Sequence, residues 1–335
     1  MSFKFSFLMS LFILIILIII PIIAINIGLS CFLGVILPYF SLIFFILMTI
    51  FRVINWGKSP VPFKIPTTCG QQKSLDWIKY DKLESPYNKK DVFCRMLLEI
   101  LLFRSLFRNN KIFFYKDKVK LAYFSSKWLW LFAIIFHYSF LVIIIRHLRF
   151  FTNPTPSFIH FIEKIDSFFE VGVPIMYMSG VTLGIAILLL LLRRIKINKL
   201  RYISLVSDYF PLLLILSIVV TGILMRYFYR IDVVSIKELT MGLVAFNTNI
   251  PLNNIGVLFY IHLFLVCVLF IYLPFSKIMH FIGVFLSPTR NLANNSRAKS
   301  HINPWNPEVK LHTYEEYENE FRDKMKKAGI PVEKG

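Results

Sequence analysis

Cysteine is scarce in this chain, and it is scattered. Four of the 335 residues are cysteine: Cys31 and Cys267 fall in apolar runs, and Cys69 and Cys94 share one loop. No CxxCH occurs, which excludes covalently attached haem. A lone loop pair cannot complete a tetrahedral zinc site or hold an iron–sulfur cluster, so the four read as buried small side chains or plain loop thiols. Acid is short too, with 19 Asp and Glu against 38 Lys and Arg, a net charge of +19. That balance alone would suit nucleic acid, but the basic residues crowd into particular loops and leave the apolar runs almost uncharged. Such a distribution is a membrane-topology signal, and no nucleic-acid partner is implied. The first apolar run, residues 6–29 after Lys4, lacks a small-x-small cleavage site and reads as an anchored helix rather than a removed leader. There is no inverted repeat and no matched pair of Gly/Pro-broken helices, which argues against a transporter.

What the chain does have is hydrocarbon-compatible length. Apolar residues make up 56% of it, and 35 are phenylalanine. Six apolar runs stand out, at 6–29, 31–54, 128–151, 168–192, 204–229 and 256–286. They predict an all-α membrane protein with six transmembrane helices, the first two forming a tight hairpin whose arms Pro21 and Pro38 kink. Between Arg52 and Lys127 sixteen Lys/Arg face six acids, and the turn at 193–201 carries five basic residues and no acid. The positive-inside rule puts those loops and both termini in the cytoplasm of a multi-pass cell-membrane protein. Four units follow: the hairpin 1–54, a basic cytoplasmic loop 55–126, a four-helix region 127–286 and a polar tail 287–335. The loop opens with proline-punctuated extended chain and continues as a helix, DVFCRMLLEILLFRSLFRNN, in which Arg95 and Glu99 are placed to pair. Its polar positions share no single face, so it lies in the membrane interface, beneath a partner, or both. The acidic-then-basic end of the tail suits a short helix.

Two runs carry paired histidines. WLWLFAIIFHYSFLVIIIRHLRF holds His137 and His147, ten positions apart; FYIHLFLVCVLFIYLPFSKIMHFIGVF holds His262 and His280, eighteen apart. Histidine inside a membrane segment is costly unless partnered. With the helices antiparallel, His137 faces His280 at one membrane level and His147 faces His262 at the other, which suits two b-type haems with two imidazoles each. Eighteen residues complete five turns, whereas ten leave a difference of about 80° around the helix, so tilt and a kink at Pro274 must absorb the mismatch. Residue chemistry leaves haem ligation and an unliganded polar network both open, as it does a haem-free anchor or a proton relay. His160, His301 and His312 fall in loops or the tail and read as solvated. For haem propionates the candidate cations are Arg146 and Arg149 on the outer side and Lys277 and Arg290 on the inner; snorkelling accounts for them as well. Asp208, Glu170 and Lys164 are the weak candidates for a proton donor to a quinone.

The spacing of ten, then eighteen, on two histidine helices resembles NarI, the di-haem cytochrome b subunit of respiratory nitrate reductases. The stretches SPVPFKIPTTCGQQKSL, LLEILLFRSLFRN and HFIGVFLSPTRN resemble a narrower group, the DsrM and HmeC subunits of DsrMKJOP and Hme-type menaquinol-oxidising complexes. The resemblance covers nearly the whole chain. It implies a NarI-like bundle binding two haem b groups through His137, His280, His147 and His262, with menaquinone as membrane redox partner. It also implies a cytoplasmic DsrK- or HdrD-like iron–sulfur subunit on the inner face, beside other membrane or periplasmic subunits. In that group electrons move between quinol and a disulfide- or trisulfide-type acceptor in sulfur metabolism. The two leading helices and the long 55–126 loop depart from the nitrate reductase pattern, so quinone-site residues do not carry over.

Overall fold

The structure, a computed structural model, describes residues 3–59, 70–115, 120–172, 174–247, 255–287, 289–296, 298–299 and 311–333, with only the backbone of Phe113 and Tyr115. Cys69, His301 and most of the proline-rich stretch after Trp56 lie outside it. Six of its helices are long and apolar enough to cross a membrane: Phe3–Asn26, Phe32–Lys58, Lys127–Phe150, Met178–Lys196, Val206–Phe228 and Val257–Phe275. The chain is an all-α membrane protein with little sheet.

The first of these, α1 (Phe3–Asn26), keeps Pro21 inside an unbroken helix. Gly28 turns the chain with a φ of +83°, which costs a residue without Cβ little. The returning span opens as a π-helical stretch, Phe32–Ile36, and continues as α2 (Leu37–Lys58) with Pro38 in its first turn. The wider turn falls where proline disturbs α-helical bonding. Four further spans follow: α5 (Lys127–His147, extended by a 3-10 turn Leu148–Phe150), α7 (Met178–Lys196), α9 (Val206–Ile223, extended by a π turn Leu224–Phe228) and α11 (Val257–Tyr272). The centre is α9 and α11, where Tyr209, Leu214 and Leu265 are fully buried. α1 packs on both, α2 on α11, α7 on α9 and α5 on α7.

One end of the bundle, where the short helix α8 (Asn198–Ile203) joins α7 to α9, gathers basic residues. There Lys277 and Arg194 both approach Asp208, Arg52 reaches the Pro274 carbonyl, and the Phe3 and Tyr209 rings meet at 6.0 Å. The start of α1 and the segment after α11 thus lie at the same end. The opposite end holds α6 (Ser157–Asp166) and α10 (Val233–Val244).

The stretch before α3 (Lys89–Leu102) folds against the segment after α11: the Asn294 side chain donates to Ser85 Oγ (3.1 Å), and its backbone N–H donates to the Pro86 carbonyl (2.5 Å). α3 itself is capped by the Asn88 side chain, which accepts from the Asp91 N–H at 2.8 Å, and α4 (Arg104–Phe107) follows after Phe103. Arg95 and Glu99 separate their interactions, Arg95 reaching the Glu84 carbonyl (3.5 Å) and Glu99 accepting from Ser105 (3.2 Å at its N–H). Next comes a strand pair absent from the sequence expectation of a helix alone, β1 (Asn110–Tyr115) antiparallel to β2 (Lys120–Ser125), Ile112 facing Tyr123 and Phe114 facing Leu121. Its aromatic and β-branched residues suit a pleated ribbon more than a helix. The tail helix α13 (Tyr314–Lys327) forms as expected, with Thr313 and Glu316 capping reciprocally.

Candidate haem cleft

The histidine helices stand at the two ends of the row α5–α7–α9–α11, α11 being packed also on α1 and α2, and no extended packing joins α5 to α11. α5 is the least buried of the six spans. The two helices bring their histidine rings together through side chains rather than by packing along their lengths.

The expected single helix over 256–286 is interrupted, which corrects the shared face of His262 and His280. α11 ends at Tyr272, a 3-10 turn covers Leu273–Phe275, and Ser276 is extended at φ −97°, ψ 171°. A second 3-10 turn, Lys277–Met279, leads into the short helix α12 (His280–Gly283). The cause is Pro274, which supplies no N–H and crowds the preceding turn. Ser276 restarts the chain by accepting from the Ile278 N–H with its hydroxyl (3.1 Å). Arg52, which the sequence marks only as a helix end, donates to the freed Pro274 carbonyl and approaches that of Ser276 (3.5 Å). Its guanidinium stands over Trp56, 5.1 Å from the ring centre. A cation at a helix C-terminus is favourable here, and it ties the break to α2.

The break brings His280 opposite His137, with ring centres 5.9 Å apart and ring planes at 79°. That separation would let both imidazoles hold one metal, each through a nitrogen about 2 Å from it. At the other level, His147 is near enough to His262 for a charge on one ring to act on the other.

Tautomers follow from the hydrogen bonds. His137 Nδ1 meets the Ala133 carbonyl (2.7 Å), His147 Nδ1 that of Ile143 (2.7 Å) and His280 Nδ1 that of Lys277 (3.0 Å). A carbonyl only accepts, so each Nδ1 carries the proton and Nε2 keeps its lone pair. His262 Nδ1 lies 2.8 Å from the Thr221 hydroxyl, which donates back to the Ser217 carbonyl (2.9 Å). With its one proton committed there, Thr221 accepts from His262. All four rings thus present an unprotonated Nε2, the form a ligand to iron needs, each oriented by the other nitrogen. The residues fit the group.

Arg146 donates to Asp166 (2.6 Å) and to Ser179 Oγ (3.2 Å), and its guanidinium lies 3.2 Å from the centre of the Tyr177 ring. Arg149 donates to Glu163 (2.8 Å). Both arginines expected at propionates therefore hold carboxylates of α6. Asp208 accepts from Lys277 (2.7 Å) and from the Leu205 N–H (3.0 Å), while Glu170 and Lys164 are exposed. His160 is exposed and pairs with Glu163 (3.5 Å), and His312 is exposed. Among the cysteines, Cys267 is buried and Cys31 and Cys94 are exposed. The sequence reading missed Arg52 and Thr221; a basic residue ending one span, and a threonine one turn from the end of another, are common enough to carry no signal.

Residues 96–295 match the model of the nitrate reductase gamma subunit family. The chain belongs to the nitrate reductase gamma subunit family. Two curated relatives are similar over most of the chain. The "Hdr-like menaquinol oxidoreductase cytochrome b-like subunit" of Archaeoglobus fulgidus is 48% identical over 280 residues, 82% of this chain and 83% of the relative. The protein of the same description from Archaeoglobus profundus is 44% identical over 281 residues, again 82% and 83%. As a gamma-subunit family member, the chain has all four cleft histidines inside the matched region.

Proposed function

We propose that this chain is a membrane cytochrome b subunit that binds two b-type haems, one between His137 and His280 and one between His147 and His262. It carries electrons between the menaquinone pool and a cytoplasmic iron–sulfur subunit of the heterodisulfide reductase kind, DsrK- or HdrD-like, in dissimilatory sulfur metabolism. The observation that carries the reading is the facing of His137 and His280 across 5.9 Å at the Pro274 break. Names of relatives that join cytochrome b, menaquinol and Hdr support the choice of redox partners.

Bound haem supplies reversible one-electron chemistry. The protein's residues do the rest. Nδ1 of each imidazole is anchored so that the ring cannot rotate away, Arg52 keeps the Pro274 break closed, and the apolar span walls exclude water. One histidine pair sits toward the basic end and one toward the other, so groups held by them would divide the membrane crossing into two shorter distances. The chain then divides into the hairpin 1–54, a basic loop 55–126 that docks the iron–sulfur subunit, a di-haem unit 127–286 and a tail 287–335. Both termini lie in the cytoplasm of the cell membrane, and further membrane or periplasmic subunits complete the complex.

The test is reduction by substrate. In vesicles containing the isolated subunit, a soluble menaquinol analogue reduces b-type absorbance bands; bands that respond to dithionite but never to the quinol would overturn the menaquinone assignment. Thr221 gives a narrower check. Thr221→Val removes the acceptor of His262 Nδ1, and loss of such a partner costs about 10–100-fold in metal affinity. Titration of the apoprotein with haem should show one weakened site in Thr221→Val and none in Thr221→Ser.

A further inference from the structure

Beyond its first turn, α3 carries its charge inward. Arg95 and Glu99 are 4% and 7% exposed, whereas Phe93, Leu97 and Leu101 are 66%, 44% and 46% exposed. A helix on a water-facing surface has the opposite polarity. Its inner side is built from polar bonds: Arg95 on the Glu84 carbonyl, Glu99 on the Ser105 N–H and hydroxyl, and both Arg104 and Arg108 on the Glu84 carboxylate.

The far end of α3 is bonded to α5 well inside that span. The Tyr138 hydroxyl donates to the Leu101 carbonyl (2.9 Å) and the Trp130 indole N–H to the Leu102 carbonyl (2.7 Å). The Phe103 ring meets the His137 ring edge-on at 4.9 Å. His137 stands ten residues into α5, about 15 Å beyond Lys127, and the hydrocarbon layer is about 30 Å thick. At this depth the chain reverses. Phe103 takes the left-handed conformation, φ 49° and ψ 47°, and α4 runs back. Phe107 meets Trp130 at 4.9 Å, Lys127 stands over the Phe107 ring at 5.1 Å, and the Ser126 N–H donates to the Asn109 carbonyl (3.1 Å).

We infer that residues 89–109 form a re-entrant element, entered from water through its first turn, whose part beyond Asp91 lies in the hydrocarbon layer beside α5 and turns at Phe103 against His137. Its Phe93, Leu97, Ile100 and Leu101 face meets lipid acyl chains. Two independent features favour lipid over water. The inverted polarity is one. The other is that the carbonyls released where α3 ends receive dedicated donors from α5, which hydrocarbon demands and water does not. A free surface turn would leave those carbonyls to solvent. The inference does not depend on haem being bound.

Spin labels read it out. In the full chain with its partner subunits, reconstituted in liposomes and with the four native cysteines replaced, labels are placed at Leu97 and Leu101, with Lys90 as the aqueous reference. The side chains at 97 and 101 are exposed in the isolated chain, so labelling displaces no core packing. Labels at 97 and 101 collide with oxygen several-fold more often than with a water-soluble nickel chelate, and the ratio reverses at 90. Ratios at 97 and 101 equal to that at 90 would place α3 on the aqueous surface and overturn the inference. An immobilised label shielded from both reagents would place protein there and overturn it equally. Tyr138→Phe gives a second reading: in hydrocarbon the unpaired Leu101 carbonyl lowers the thermal unfolding midpoint, whereas water would replace the lost donor and leave the midpoint unchanged.

Discussion

His137→Ala and His280→Ala are each expected to remove the same half of the b-type absorbance, and the double variant to remove no more than either single one. The two ring centres lie 5.9 Å apart and each ring keeps its Nε2 unprotonated, so loss of either should empty one site. Residues that act as a unit give non-additive losses. His147→Ala and His262→Ala should behave alike with the other half, and His137→Ala combined with His262→Ala should abolish the bands. The measurement is a dithionite-reduced minus oxidised spectrum of each purified variant, normalised to protein. Losses that add for His137 and His280 would show that the two belong to different sites.

Asp166→Ala should be the most destabilising single change at the opposite end of the bundle. Asp166 is 7% exposed and accepts three bonds of 2.6 Å, from Arg146, from the Ser179 N–H and from the Ser179 hydroxyl. It therefore neutralises a buried guanidinium and caps the start of α7 in one contact. Removing one partner of a buried ion pair costs about 3–5 kcal/mol, because the other charge is left without compensation. The paired change Asp166→Ala with Arg146→Met, which removes both charges, should recover much of that loss. Thermal unfolding in detergent, read by intrinsic fluorescence, compares the three proteins. A double variant no more stable than Asp166→Ala would place the cost in the lost cap of α7 rather than in the stranded charge.

The architecture was largely legible because the membrane imposes it. Hydrocarbon thickness sets span length, and charge cannot enter cheaply, so six runs in the sequence became six helices. The four histidines stood out for the same reason. Less legible was everything that depends on one residue reaching across sequence. Pro274 signalled a kink, but nothing local shows that the break would carry His280 to His137 or that Arg52, more than 200 positions earlier, would hold it. Arg146 and Arg149 look free for an anionic ligand until α6 folds back with Asp166 and Glu163. The helix at 89–102 has no clean amphipathic pattern when read against water; its charged face is the buried one. The strand pair after it was missed because the basic residues around it drew the reading toward a solvated loop.

The central claim is that one chain holds two non-covalent haems between α5 and the α11–α12 segment. Haem extracted into alkaline pyridine from the purified subunit, divided by protein from amino-acid analysis, measures it directly. The account predicts two protohaems per chain, falling to one in His137→Ala. A subunit that purifies folded with no haem, or one whose haem content is untouched by that substitution, would contradict it.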